Sequence, residues 1–314
     1  MRRIMRIMGV MLIILSLIML LACGDDSATE NKGPIVVGSK VDTEGALLAS
    51  VMILMLEDNG FEVVDESQTG PTAIVRAALE SGEIDMYPEY TGNGAFFFDE
   101  ADSDVWKDAE AGYERVKELD KENFDNVWLE PAPANNTWAI AIPRELAEVE
   151  NLESLADFAA YVNAGGEVKL IGSEEFITSP AALPSFQESY GFTLTGDQLV
   201  SISGGNTVLT EKAAAEGTDG INAAMAYGTD GQLAALGLVV LSDPNGAQPV
   251  YEPAPRVRGE IMEEYPEIAE ILNPVFQSLG LEALQMMNAK TAVEGQQAMD
   301  VAREYLVSSG FLNQ

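Results

Sequence analysis

From Pro34 onward, short apolar runs bounded by turns alternate with longer helical patterns, and that alternation leaves few architectures open to the chain. Pro34-Ile35-Val36-Val37-Gly38 reads as a buried strand. Residues 46–56 are apolar nearly all round, which predicts a buried helix with Thr43 as its N-cap and a stop at Asn59-Gly60. Residues 61–64 form the next strand, Pro71 opens a helix that Gly82 closes, and residues 84–87 are predicted as a third strand ending at Pro88. Strand, helix, strand, helix, strand is the pattern of an α/β domain with a mainly parallel sheet. Ligands of such sheets sit beyond the carboxyl ends of the strands, where Ser39, Lys40 and the run Tyr87-Pro88-Glu89-Tyr90-Thr91-Gly92-Asn93 fall. A second unit repeats the logic with strands over 137–142, 168–171 and 221–226. Its loops at 172–175, 203–207 and 227–231 lie at the corresponding ends. A last third adds strands over 238–241 and 250–257 and three amphipathic helices.

Size and charge narrow the function. A chain of 314 residues with 47% hydrophobic content can build two cores. It carries 51 acidic and 17 basic side chains, no histidine and a formal charge of −34. Such a surface repels nucleic acid and anionic lipid. The acids are spread along the chain, which suits work in high salt, where screening shortens self-repulsion; attraction of cationic ligands is the alternative.

The N-terminus has its own pattern. Arg2, Arg3 and Arg6 precede an apolar run over residues 7–21, too short for a comfortable membrane span. The run ends in Leu20-Leu21-Ala22-Cys23, which resembles a bacterial lipoprotein signal cut before a lipidated cysteine; a transmembrane anchor or a plain secretory signal are the alternatives. Removing residues 1–22 leaves 14 bases against 51 acids, hence a mature charge of −37. Residues 24–33 are polar and aperiodic and read as a flexible tether.

Much chemistry is missing. Without histidine, and with Cys23 assigned to the lipid, the usual nucleophile–base pairs and zinc sites are absent. There is no phosphate-binding loop of the Gly-Lys-Ser type. Carboxylates abound, but no spacing singles out an acid pair. Gly204-Gly205-Asn206-Thr207 opens a helix and offers amides to an anionic group, or is simply a turn. The expectation is a binding protein, not an enzyme, with no cofactor.

Several long motifs carry a resemblance. Val37-Gly38-Ser39-Lys40, Asp42-Thr43-Glu44-Gly45, Tyr87 to Phe98, Pro131-Ala132-Pro133-Ala134-Asn135-Asn136-Thr137-Trp138, Asn222 to Gly231 and Tyr251 to Arg258 resemble the substrate-binding proteins of osmoprotectant ABC importers, closest to the YehZ-like branch of the glycine betaine and choline binders. The resemblance runs over the whole mature chain. It implies a two-lobed, hinged α/β fold of the type II periplasmic-binding kind, with the ligand in the cleft. The lobes implied are 34–136 with 238–314, and 137–237, after a signal over 1–23 and a tether over 24–33.

The resemblance also implies an aromatic cage. A trimethylammonium head has no N–H, so ring faces hold it instead, each contributing roughly 0.5–2 kcal/mol when desolvated. Tyr90, Trp138 and Tyr227 stand at cage positions, and Asn93 at a variable position facing the pocket. Ser39, Lys40, Asn136, Thr137, Thr229 and Asp230 complete the expected site. Two positions depart from the family. Phe176-Ile177-Thr178-Ser179 puts Ser179 where relatives carry an arginine that clamps a ligand carboxylate. Glu211 stands where close relatives carry a further cage tyrosine, either adding Coulomb attraction at the site or facing solvent. These changes favour a ligand of net positive charge, such as choline, over zwitterionic betaine. The expected partners are a small quaternary amine, an ABC permease with its ATPase, and the membrane through a lipid anchor. The expected protein is a monomer on the outer face of the cytoplasmic membrane or in the periplasm. A binder of another solute, such as an amino acid, and a sensor lipoprotein are the rival readings.

Overall fold

Two five-stranded sheets organise the chain. The computed structural model describes residues 32–203 and 207–313. The apolar run, Cys23, most of the tether, and Gly204, Gly205 and Asn206 lie outside the described residues. In chain order the strands are β1 (Lys32–Lys40), β2 (Phe61–Gly70), β3 (Met86–Tyr90), β4 (Asn126–Trp128), β5 (Trp138–Pro143), β6 (Leu170–Ser173), β7 (Leu199–Ile202), β8 (Ala223–Tyr227), β9 (Leu238–Val240) and β10 (Pro253–Arg258). The first sheet has the order β2-β1-β3-β10-β4 and the second β7-β6-β8-β5-β9. In each, three neighbouring strands pair in parallel and one antiparallel strand, β10 in the first and β5 in the second, joins them to an outer strand that runs with the three. The chain leaves the first sheet after Trp128, enters the second at Trp138, and returns between Val240 and Pro253.

Helix Thr43–Asp58 is buried from Glu44 to Leu56 because it is covered on both sides. Leu47, Leu48, Met52 and Leu56 join Ile35 and Val37 of the sheet to Leu272, Phe276, Leu284 and Leu306 of the C-terminal helices in one core. Each fully buried aliphatic side chain there contributes about 1.5–3 kcal/mol. The N-cap is Asp42, whose Oδ1 accepts the Gly45 N–H at 2.7 Å, rather than the expected Thr43. The shift seats Glu44 in the first turn, where the helix dipole favours a carboxylate.

Several boundaries differ from the sequence reading, among them β2, expected over 61–64, which runs on to Gly70. The tether ends before residue 32: Lys32 pairs with Phe61 and reaches Glu267 at 3.0 Å, and the Gly33 N–H donates to the Tyr265 hydroxyl at 3.2 Å. The strand expected over 84–87 instead runs through Pro88 to Tyr90. Pro88 lies opposite Pro255, so neither strand loses a ladder donor it needs at that pair. The strand Leu238–Val240, assigned above to the first lobe, pairs with β5 in the second sheet, Ile142 opposite Val239.

Candidate functional site

A cavity of about 840 Å³ opens between the two sheets at the ends of β1, β3, β5 and β8. Lys40, Glu44, Tyr90 and Asn93 line it from the first sheet's side, Trp138, Tyr227, Thr229 and Asp230 from the second's, and Asn136 and Tyr251 from the two crossings.

On the first side a fully buried carboxylate, Glu89, gathers four donors. They are Lys40 Nζ at 2.5 Å, the Tyr90 N–H at 2.7 Å, Asn93 Nδ2 at 2.8 Å and the Tyr87 hydroxyl at 2.9 Å. Burial alone would raise its pKa, but the Lys40 charge and these bonds outweigh burial and hold it below the usual carboxylate range. The same contact draws the Lys40 ammonium to 4.6 Å from the Tyr90 ring centroid. Tyr90, only 6% exposed, donates its hydroxyl to Glu44 Oε1 at 2.8 Å. Glu44 also accepts from Asn136 Nδ2 at 2.9 Å and Asn288 Nδ2 at 2.6 Å. For Glu44 burial prevails over its hydrogen bonds and raises its pKa.

On the second side Trp138 and Tyr227 are cross-strand partners on β5 and β8, and the indole Nε1 donates to the Tyr227 hydroxyl at 3.0 Å. Phe176 meets the indole edge-on with centroids 6.2 Å apart. That brace fixes the Trp138 ring without covering the half-buried surface it offers the cavity. Asp230 Oδ2 accepts the Tyr227 N–H at 2.7 Å, closing the loop after β8. Tyr251 enters from the return crossing. A Cβ on Gly92 would lie 2.7 Å from Val250 O and 2.8 Å from the Tyr251 ring, so glycine is needed there for Tyr251 to reach the site.

Four residues expected at the site lie elsewhere. Ser39 is fully buried behind it, donating to Lys40 O at 2.9 Å and accepting the Gln68 N–H at 2.7 Å. Thr137 donates to Pro249 O at 3.0 Å and so ties the two crossings together. Ser179 lines a separate crevice of about 450 Å³, with Phe96 and Ser185. Glu211 is neither at the cavity surface nor in solvent: it is 0% exposed on helix Thr207–Glu216. Glu44, Tyr251, Asn288, Glu175 and Gln232 line the cavity without having been singled out. Glu44 and Tyr251 stood inside the quoted motifs; Asn288 came from a helix with no signal of its own.

The cavity's charge is one-sided. Asp42, Glu44, Glu175 and Asp230 line it, no arginine does among the described residues, and its lysine is tied to Glu89. Among the described residues no three His, Cys, Asp or Glu side chains gather as metal ligands. The arrangement suits a small cation with apolar surface.

Two α/β lobes joined by two crossings, with a lined cleft between them, define a periplasmic-type solute-binding protein. The chain belongs to the family described as the substrate-binding domain of ABC-type glycine betaine transport systems, whose model matches residues 33–308. It is a substrate-binding protein and not an enzyme. It is 54% identical over 278 residues to the glycine betaine-binding protein YehZ of Escherichia coli K12, covering 88% of this chain and 91% of that one. A glycine-betaine-binding protein of Pseudomonas aeruginosa is 33% identical over 276 residues, 86% of each chain. The structure of apo YehZ matches with a TM-score of 0.82, covering 89% of this chain and all of the other.

Proposed function

We propose that the chain is an extracytoplasmic receptor that captures quaternary ammonium osmoprotectants for an ABC importer, gripping the methylated cation among Trp138, Tyr227, Tyr251 and Tyr90. The observation that carries this reading is the convergence of four rings from both lobes on one acid-lined cavity whose lysine is already engaged. Three or four cation–π contacts of roughly 0.5–2 kcal/mol each are enough for micromolar binding. Tyr90 differs from the other rings, because it is nearly buried and already holds Lys40 against its ring. Trp138, Tyr227 and Tyr251 therefore give the ligand most of its ring surface.

The names of the relatives favour glycine betaine. The charge of the cavity favours a ligand with a net positive charge, choline over betaine, because among the described residues the carboxylate of betaine would meet four acids and no free cation. An amino acid ligand is disfavoured on the same ground. Calorimetric titration with choline and glycine betaine ranks the two: tighter choline binding supports the charge argument, and equal or tighter betaine binding defeats it. Closure of the lobes expels water and strengthens each ring contact, and the closed form then docks to a permease with its ATPase. The protein works as a monomer, held outside the cytoplasmic membrane by acyl chains on Cys23. Loss of lipid labelling in Cys23→Ser checks the anchor.

A further inference from the structure

The second lobe holds a charged side chain that the cage does not use. Glu211 is completely buried on the face of helix Thr207–Glu216 that packs against β8. It lies against Asp230 and Gln232, both of which line the cavity. Among the described residues neither Glu211 carboxyl oxygen has a partner in full hydrogen-bond geometry, and the Gln232 amide beside it is a weak donor that offsets only part of the cost of burial. A buried carboxylate without donors is strongly unfavourable. Its charged neighbour, Asp230, is itself an acceptor, and two acceptors in contact are joined only through a proton.

We propose that Glu211 is a positioning residue for cation recognition: from behind the cavity wall its protonated carboxyl donates an O–H hydrogen bond to an Asp230 oxygen, and so presents the Asp230 carboxylate to the cavity as an anion. One proton then resolves two difficulties. Glu211 becomes neutral, as its burial requires, and Asp230 gains a third donor beside the Tyr227 N–H and the Thr207 hydroxyl. Burial raises the Asp230 carboxyl above the usual range, and the three donors at its back oppose that rise, favour its anion and fix its direction.

The surroundings support the assignment. Burial first, and the charge of Asp230 second, push the Glu211 carboxyl up to about 10. Strands β5 and β6 and helix Gln232–Ala235, all packed on the same helix, bring no titratable side chain. Strand β8 brings Tyr227, and the short turn Thr218–Gly220 brings exposed Asp219. On the helix itself Lys212 and Glu216 are exposed and paired with each other at 3.8 Å. Asp230 is therefore the one charge in a position to share a proton with Glu211 among the described residues.

This inference rests on the cationic-ligand reading, and its test separates the two. Choline affinity is titrated from pH 5 to 9 for the wild type, Glu211→Gln and Glu211→Leu. Binding needs Asp230 ionised, so affinity falls on the acid side. Losing the donor raises the pH at which Asp230 takes up a proton, so in Glu211→Leu the acid limb moves up by about one pH unit, a roughly tenfold loss of affinity at the pH where the wild type begins to weaken. The glutamine amide still donates and restores the wild-type limb. Superimposable wild-type and Glu211→Leu profiles overturn the proposal. Failure of the wild type to bind either quaternary amine at any pH overturns the ligand reading instead. Infrared difference spectra of wild type minus Glu211→Gln decide the proton independently of ligand and of whether the leucine variant folds. A protonated-carboxyl band at pH 7 is expected, and its absence overturns the pair.

Discussion

Glu89 and Glu211 are both fully buried acids, yet their surroundings drive them in opposite directions. Glu89 has four donors, the Lys40 ammonium among them, and is held below the usual range; Glu211 has no donor in full hydrogen-bond geometry and is pushed up. Their linkage to stability has opposite sign. Glu89 contributes stability that is present above its unfolded pKa near 4.5 and is lost as pH falls through the lower folded value. Glu211 is ionised in the unfolded chain above about 4.5 but protonated in the folded one up to about 10, so it lowers stability as pH rises through that window. Glu211→Leu is therefore predicted to melt above the wild type at pH 8, with the gap narrowing toward pH 4. A gap independent of pH would contradict it. For binding, Trp138→Ala is predicted to weaken quaternary amine affinity by about tenfold, the loss of one desolvated ring contact. Tyr90→Ala should add a stability loss of about 1–3 kcal/mol, because Glu44 stays buried with one donor fewer. Melting and titration of the two variants separate these effects. Tyr90, Trp138 and Tyr227 were legible in the sequence because motif and strand end coincided. The place of Glu211 was not, since a helix of mixed polarity hides which face is covered until the sheet is drawn.

At the scale of elements, helix Leu281–Ala292 closes the site from the first lobe onto the second. Gln285 Nε2 donates to Gly228 O and Asn288 Nδ2 to Thr229 O, both at 2.9 Å, while Asn288 also bonds Glu44. The close approach depends on Gly231. A Cβ there would lie 2.0 Å from Ala289 N, against backbone that has nowhere to go. Gly231→Ala is predicted to force the helix and the loop apart, costing about 1–3 kcal/mol of stability and weakening ligand binding with it. An unchanged melting temperature and affinity would show that the contact is dispensable. The α/β alternation of the first unit could be read directly because each strand carries an apolar run punctuated by Gly or Pro, although the polar second half of β2 could not. The docking of this helix could not: its partners lie some 57 to 244 residues away, and no local pattern encodes them. The three-residue strand β9 failed for a related reason, because only pairing with β5 assigns it to a sheet.

For the whole molecule the dominant fact is charge, −34 over 314 residues. Self-repulsion of that size opposes the compact state and is screened within a few ångströms at molar salt. The melting temperature is predicted to rise as KCl increases from about 0.1 to 1 M, and a fall would count against salt adaptation. The same excess of acid reaches into the cleft, and in the proposed function rings and carboxylates act together there on a trimethylammonium head that neither donates nor accepts a hydrogen bond. The most direct measurement compares choline with its uncharged isostere, 3,3-dimethylbutan-1-ol, by calorimetry on the same preparation. Cation recognition predicts micromolar choline binding and at least a hundredfold weaker binding of the alcohol, about 2.8 kcal/mol at 1.4 kcal/mol per tenfold step. Equal affinity for the two would mean that the cleft selects shape rather than charge.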